Sequence, residues 1–194
     1  MRALVLLATL LGLATTLGAQ GRHPNARQGF WVGFGFGSGS VGLDCTSCAT
    51  DRVSAPSGYI RAGGTLSPKL LLGGESNGWV HHEGDVDESV GYGSFIVMLY
   101  PSRTGAFYLK FGFGGMKYHG QQGTGPGSTL DASAPAGSFG LGYEFRLGRN
   151  FSMVPYLNSL ASSAVTLKQD GVPVSTGEDI KITLVQFGLG VTWH

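Results

Sequence analysis

His81, His82 and His119, with Glu83, Asp85, Asp87 and Glu88 among them, are the densest set of groups able to bind a metal or carry a proton. Histidine with carboxylate suits zinc, and carboxylates suit calcium. The spacing lacks the glycine and closing glutamate of a calcium-loop motif. The acidic stretch therefore reads as a solvated loop, and no metal and no cofactor is assigned. Cys45 and Cys48 form the one cysteine pair, spaced C-x-x-C. In a secreted chain such a pair reads as a disulfide. Ala49 rather than His follows, which excludes haem attachment, and no further ligands lie nearby for a tetrahedral metal site. Arg61, Glu75, Lys110, Glu144 and Arg146 form the third set, charges set within strand-like stretches of apolar residues and glycine. Charges so placed are costly unless paired and hydrogen-bonded, so they read as a salt-bridge network. A proton relay or a carboxylate pair in a pocket is the functional alternative. Gly112/Gly114, Gly140/Gly142 and Gly188/Gly190 are not phosphate loops, which need a strand-to-helix turn.

The elements that carry these groups are strands. From Val185 onward the chain alternates: Val185, Phe187, Leu189, Val191 and Trp193 fall on one face, Gln186, Gly188, Gly190, Thr192 and His194 on the other. Period two is the mark of a strand with one apolar face. Eight such stretches are expected, at about 29–43, 58–66, 69–81, 90–100, 106–118, 136–147, 151–167 and 180–193. Tight turns at 67–68, 101–105 and 148–150 alternate with long polar connections at 45–57, 82–89, 119–135 and 168–179. Phe107, Leu109, Phe111 and Phe113 alternate with Tyr108, Lys110, Gly112 and Gly114; Phe139, Leu141, Tyr143 and Phe145 alternate with Gly140, Gly142, Glu144 and Arg146. In the fourth stretch Gly91 and Gly93 are placed on the charged side, which carries Phe95 and Val97 with them and calls for a bulge or an apolar interior layer. Pro155 in the seventh removes a ladder donor and calls for a bulge or a strand end.

Met1 to about Ala19 reads as a signal peptide, with Arg2, an apolar run from Leu4 to Leu13 and small residues at Gly18-Ala19. Residues 20–194 then form one domain. Of 13 basic residues one lies in that segment, which leaves 12 against 12 acidic ones. A net charge near zero gives no basic patch and excludes nucleic acid as a partner. Glycine is enriched, at 34 residues. No later apolar run is long enough for a membrane helix, but strands cross a bilayer when closed into a barrel.

The even strand count, the alternating turn lengths and the aromatic near the C-terminus resemble the small eight-stranded bacterial outer-membrane β-barrels, such as the OmpA barrel and OmpX. His194 departs from the pattern, since that family ends on the aromatic itself. The resemblance implies an all-β, eight-stranded antiparallel up-and-down transmembrane barrel. Both termini and the tight turns would face the periplasm, and the aromatic face would meet lipid. A basic residue facing mid-bilayer costs about 2–4 kcal/mol, so Arg61, Glu75, Lys110, Glu144 and Arg146 point into the lumen. A soluble lipocalin-like barrel would bury the aromatic face instead. Phe187, Leu189, Val191 and Trp193 would be the signal read by the barrel-assembly machinery, and outer-membrane lipid and lipopolysaccharide the surroundings. The implied role is structural or surface interaction, with the periplasmic half of the lumen closed and a small cavity open to the outside. Lipid A modification and passage of a small solute are the alternatives. The His-x-Ser pair of the lipid A deacylases is absent.

Overall fold

The computed structural model describes residues 27–44, 52–123, 129–174 and 180–194. The signal-peptide reading of residues 1–19 and the Cys45–Cys48 disulfide lie outside the described residues. All regular structure described is strand: β1 (Phe30–Asp44), β2 (Val53–Ser67), β3 (Leu70–Glu83), β4 (Val86–Leu99), β5 (Phe107–Gln122), β6 (Thr129–Tyr143), β7 (Phe145–Arg146), β8 (Phe151–Ser162), β9 (Thr166–Gln169), β10 (Val172–Val174) and β11 (Lys181–Trp193). Neighbours pair antiparallel in the order β6-β5-β4-β3-β2-β1-β11-β8, and β6 also pairs with β8, so the ring is continuous and the first strand, β1, meets the last, β11, at the closing seam. β7 continues β6, and β9 continues β8 along β6. The result is a closed eight-stranded antiparallel barrel.

The face assignment follows from exposure. Phe34, Phe36, Phe95, Phe113, Phe187, Leu189 and Trp193 are all more than half exposed, while Trp31, Leu71, Trp79, Lys110 and Leu184 are buried in the lumen. A soluble barrel would do the reverse. Most of the long strands run to 14–16 residues. About 9–11 tilted residues cross a bilayer, so the strands continue past the aromatic band into a polar outer wall. That continuation corrects the expectation of long polar loops. Residues 82–89 are a hairpin turning at Gly84, whose φ of 61° favours glycine. His119–Gln122 and Thr129–Pro135 are strand rather than loop.

Three further expectations need correction. In β4 the lumen face carries Val90, Tyr92, Ile96 and Met98, and Gly91, Gly93 and Phe95 face outward. Its register with β3 and β5 runs unbroken, so there is no bulge; the interior is apolar at that height. Pro155 causes no bulge either. Gly142 pairs with Tyr156 and Phe145 with Met153, so the register is the same on both sides. Pro155, which has no N–H to give, falls opposite Tyr143, where β6 stops and β7 begins. The outer half of the lumen is also filled rather than hollow among the described residues: Val41, Trp79, Val90, Tyr92, Met116, Leu160, Ile182 and Leu184 pack into an apolar cluster there.

The inward glycines explain how so many rings fit. An eight-stranded lumen is just wide enough for side chains to fill. A Cβ at Gly35 would strike the rings of Tyr59 and Tyr156, one at Gly142 the ring of Tyr108, and one at Gly39 Trp79. Each of these three glycines seats a large side chain from a strand one or two places away.

Candidate functional site

The lumen is stacked in layers. At the end where β1 begins and β11 stops, Glu144 accepts a hydrogen bond from Tyr100 (2.6 Å) and faces the Arg27 guanidinium (3.3 Å) and His194 Nε2 (3.2 Å). Arg27 also lies over the Tyr100 ring, 3.4 Å from its centroid, and donates to the Gly105 carbonyl. Next come Trp31, Leu71, Ile96, Met98, Tyr108 and Val154. Deeper in the barrel, Lys110 is ion-paired with Glu75, which also accepts from Asn77 (2.9 Å). The apolar outer cluster covers this layer.

The five charges expected as one network thus fall into two groups. Glu75 and Lys110 pair directly, with both side chains fully shielded. Arg61 stands opposite Glu75 in the ladder but turns to Tyr108 Oη (3.1 Å), between the rings of Tyr59 and Tyr108. Glu144 belongs to the terminal group, and Arg146 is partly exposed beside it on β7. The Tyr100–Tyr108 ring contact, 5.6 Å between centroids, joins the two. Sequence reasoning missed Arg27, which precedes the first strand and so has no parity. It missed His194 too, although alternation from Gln186 puts that residue on the lumen face.

At the opposite rim three histidines each carry a carboxylate: His81 with Glu83 (3.4 Å), His82 with Asp87, and His119 with Asp131 (2.7 Å). Tyr118 donates to Glu88 (2.5 Å). His81, His82, Asp87, Glu88, Ser89 and His119 line one cleft of about 530 Å³. Among the described residues no three His, Cys, Asp or Glu side chains converge as a metal-binding set. A second depression, of about 860 Å³, runs down the outer wall over Gly91, Gly93, Gly115 and Lys117 to Phe113.

Phe187, Leu189 and Trp193 project from β11 onto the outer surface, more than half exposed, with Val191 partly exposed between them. β11 also forms the closing seam, Gly37 opposite Gly188 and Gly35 opposite Gly190.

The closed ring, the outward aromatic band and the lumen packing define the class: a small eight-stranded barrel of the outer-membrane type. Comparison with solved structures gives the same fold. Neisserial surface protein A (NspA) superposes with a TM-score of 0.55 at 12% identity, over 86% of this chain and 97% of that one. Ail, the attachment invasion locus protein of Yersinia pestis, superposes at 0.51 with 16% identity, over 86% and 99%. Ail in complex with the heparin analogue sucrose octasulfate gives 0.54 at 14% identity, again over 86% and 99%. No family model and no curated protein matches the chain.

Proposed function

We propose that this chain is a bacterial outer-membrane barrel, exported with a cleaved signal peptide, whose role is structural or surface-interacting rather than conductive. The observation that carries this reading is the filled lumen. Two apolar layers enclose the Glu75–Lys110 pair, and the Glu144 group sits at the mouth on the termini side. Among the described residues such packing leaves no aqueous path, which weighs against a carrier or narrow channel. Activity would then sit on the outer wall and rim, among lipid and lipopolysaccharide. Ail, an attachment invasion locus protein solved in complex with a heparin analogue, supports a surface-interaction role by fold likeness. Phe187, Leu189, Val191 and Trp193 serve as the signal for the barrel-assembly machinery.

The test is reconstitution. The mature protein is expected to fold only in detergent or lipid, to run anomalously on a gel when unheated, and to show no steady conductance in planar bilayers. Trp193→Asp should lower the fraction assembled in cells. Stable ohmic pores would overturn the non-conductive reading, and a soluble monomer without detergent would overturn the membrane reading.

A further inference from the structure

Three residues far apart in the chain share one row on the outer wall. Ser89 of β4 stands directly opposite His119 of β5, and His119 directly opposite Asp131 of β6. Directly opposed residues in an antiparallel pair share a face, with Cβ atoms about 4.5–5.5 Å apart. All three are on the outward phase of their strands and at least partly accessible. His119 Nδ1 lies 2.7 Å from Asp131 Oδ1. A neutral ring held by that bond carries its proton on Nδ1 and its lone pair on Nε2, the arrangement a general base needs. Ser89 and His119 also line the same 530 Å³ cleft.

We propose that Ser89, His119 and Asp131 form a hydrolytic site on the outer wall, with Ser89 as nucleophile, His119 as general base and Asp131 as the residue that positions the ring. The substrate class is the acyl ester of a phosphate-bearing membrane lipid. The surroundings fit that class. Below the row, towards the aromatic band, the wall is bare: a Cβ built at Gly78, Gly91, Gly93 or Gly115 meets nothing within 4 Å. From Phe95 up to Ser89 is six residues of β4, roughly 20 Å along the strand. This trough offers a bed for an acyl chain rising from the bilayer beside Phe95 and Phe113. Lys117, next below His119 on the same outward face, lines the trough and supplies a cation for the lipid phosphate.

The chemistry balances without a cofactor. Ser89 Oγ attacks the ester carbonyl carbon while His119 Nε2 takes the hydroxyl proton. The carbon–oxygen bond to the lipid alcohol breaks, and His119 returns the proton to the departing oxygen. Water, deprotonated by the same nitrogen, then attacks the acyl-serine, frees the fatty acid and restores the Ser89 hydroxyl. No hydrogen bond joins Ser89 to the ring; such contacts commonly tighten only when substrate is bound. His82 and Asp87 line the same cleft, but His82 stands opposite Asp87 rather than Ser89.

The full mature chain, folded in detergent and checked by its unheated gel shift, is tested in two ways. A serine-directed fluorophosphonate should label the protein and Ser89→Ala should abolish the label, with mass analysis placing it on Ser89. Mixed micelles of acyl-labelled phosphatidylglycerol in one arm and lipopolysaccharide in the other should release labelled or free fatty acid in at least one. Release should fall about 100-fold or more in Ser89→Ala and in His119→Ala, and Lys69→Ala, in the β2–β3 turn at the far end of the barrel, should keep it. Loss in His82→Ala with retention in His119→Ala would overturn the assignment. So would the absence of both label and release from protein that shows the gel shift, or label and release unchanged in Ser89→Ala.

Discussion

Glu144 is the carboxylate on which Arg27 and His194 converge. Arg27 arrives from before the first strand and His194 from the last position, and Tyr100 completes the set. Removing one partner of a buried ion pair costs more than the pair contributes, because the remaining charge stays buried. Glu144→Gln keeps the shape and strands Arg27, which is fully enclosed. We expect it to lower stability to urea in detergent by about 3 kcal/mol, and His194→Ala by about 1 kcal/mol, as the loss of one hydrogen bond. Equal unfolding midpoints for Glu144→Gln and the parent would show that the termini are not held there. Little of this was legible in the sequence. The parity of His194 was, but its partner lies 50 residues away, and Arg27 lies outside any periodic segment. The Ser89–His119–Asp131 row is invisible for the same reason: only strand register brings the three together.

At the scale of the strand, legibility depended on contrast between the two faces. β1, β3, β5, β6 and β11 set aromatic or aliphatic residues against glycine and charge, and their phase could be read directly. In β4 the contrast fails, because Tyr92, Ile96 and Met98 line an apolar stretch of lumen while Phe95, Val97 and Leu99 meet lipid. Both phases are apolar, so period two carries no information there. Strand ends were misjudged because polar residues on the wall beyond the bilayer look like loop. The glycines also divide by face. A Cβ at Gly37 would run into the backbone of Phe187 and Gly188 across the closing seam, whereas one at Gly91 meets open space. Gly37→Val is therefore expected to reduce sharply the fraction showing the folded gel shift, and Gly91→Val to leave it unchanged. Comparable folding of the two would mean that the seam tolerates a side chain.

For the whole molecule the question is what keeps the barrel shut. The Glu75–Lys110 pair lies between the Trp31–Leu71–Ile96–Met98 layer and the Trp79–Tyr92–Leu184 cluster, so it is sealed from both mouths. A buried pair of this kind is weak evidence for stability: charges taken out of water lose hydration that their attraction only partly returns. Lys110→Met alone leaves Glu75 charged in an apolar lumen and is expected to cost about 3–5 kcal/mol. Adding Glu75→Leu removes the stranded charge and fills similar volume, but leaves Asn77 without its acceptor and Arg61 without the carboxylate opposite it, so the double variant should recover part of that loss. Neither should conduct, because the apolar layers above and below stay in place. The two readouts separate two roles. A double variant as unstable as Lys110→Met would mean that the pair itself, rather than relief of a lone charge, holds the lumen together. Steady ohmic currents from the stable double variant would mean that this charged layer, and not the apolar packing around it, is the seal.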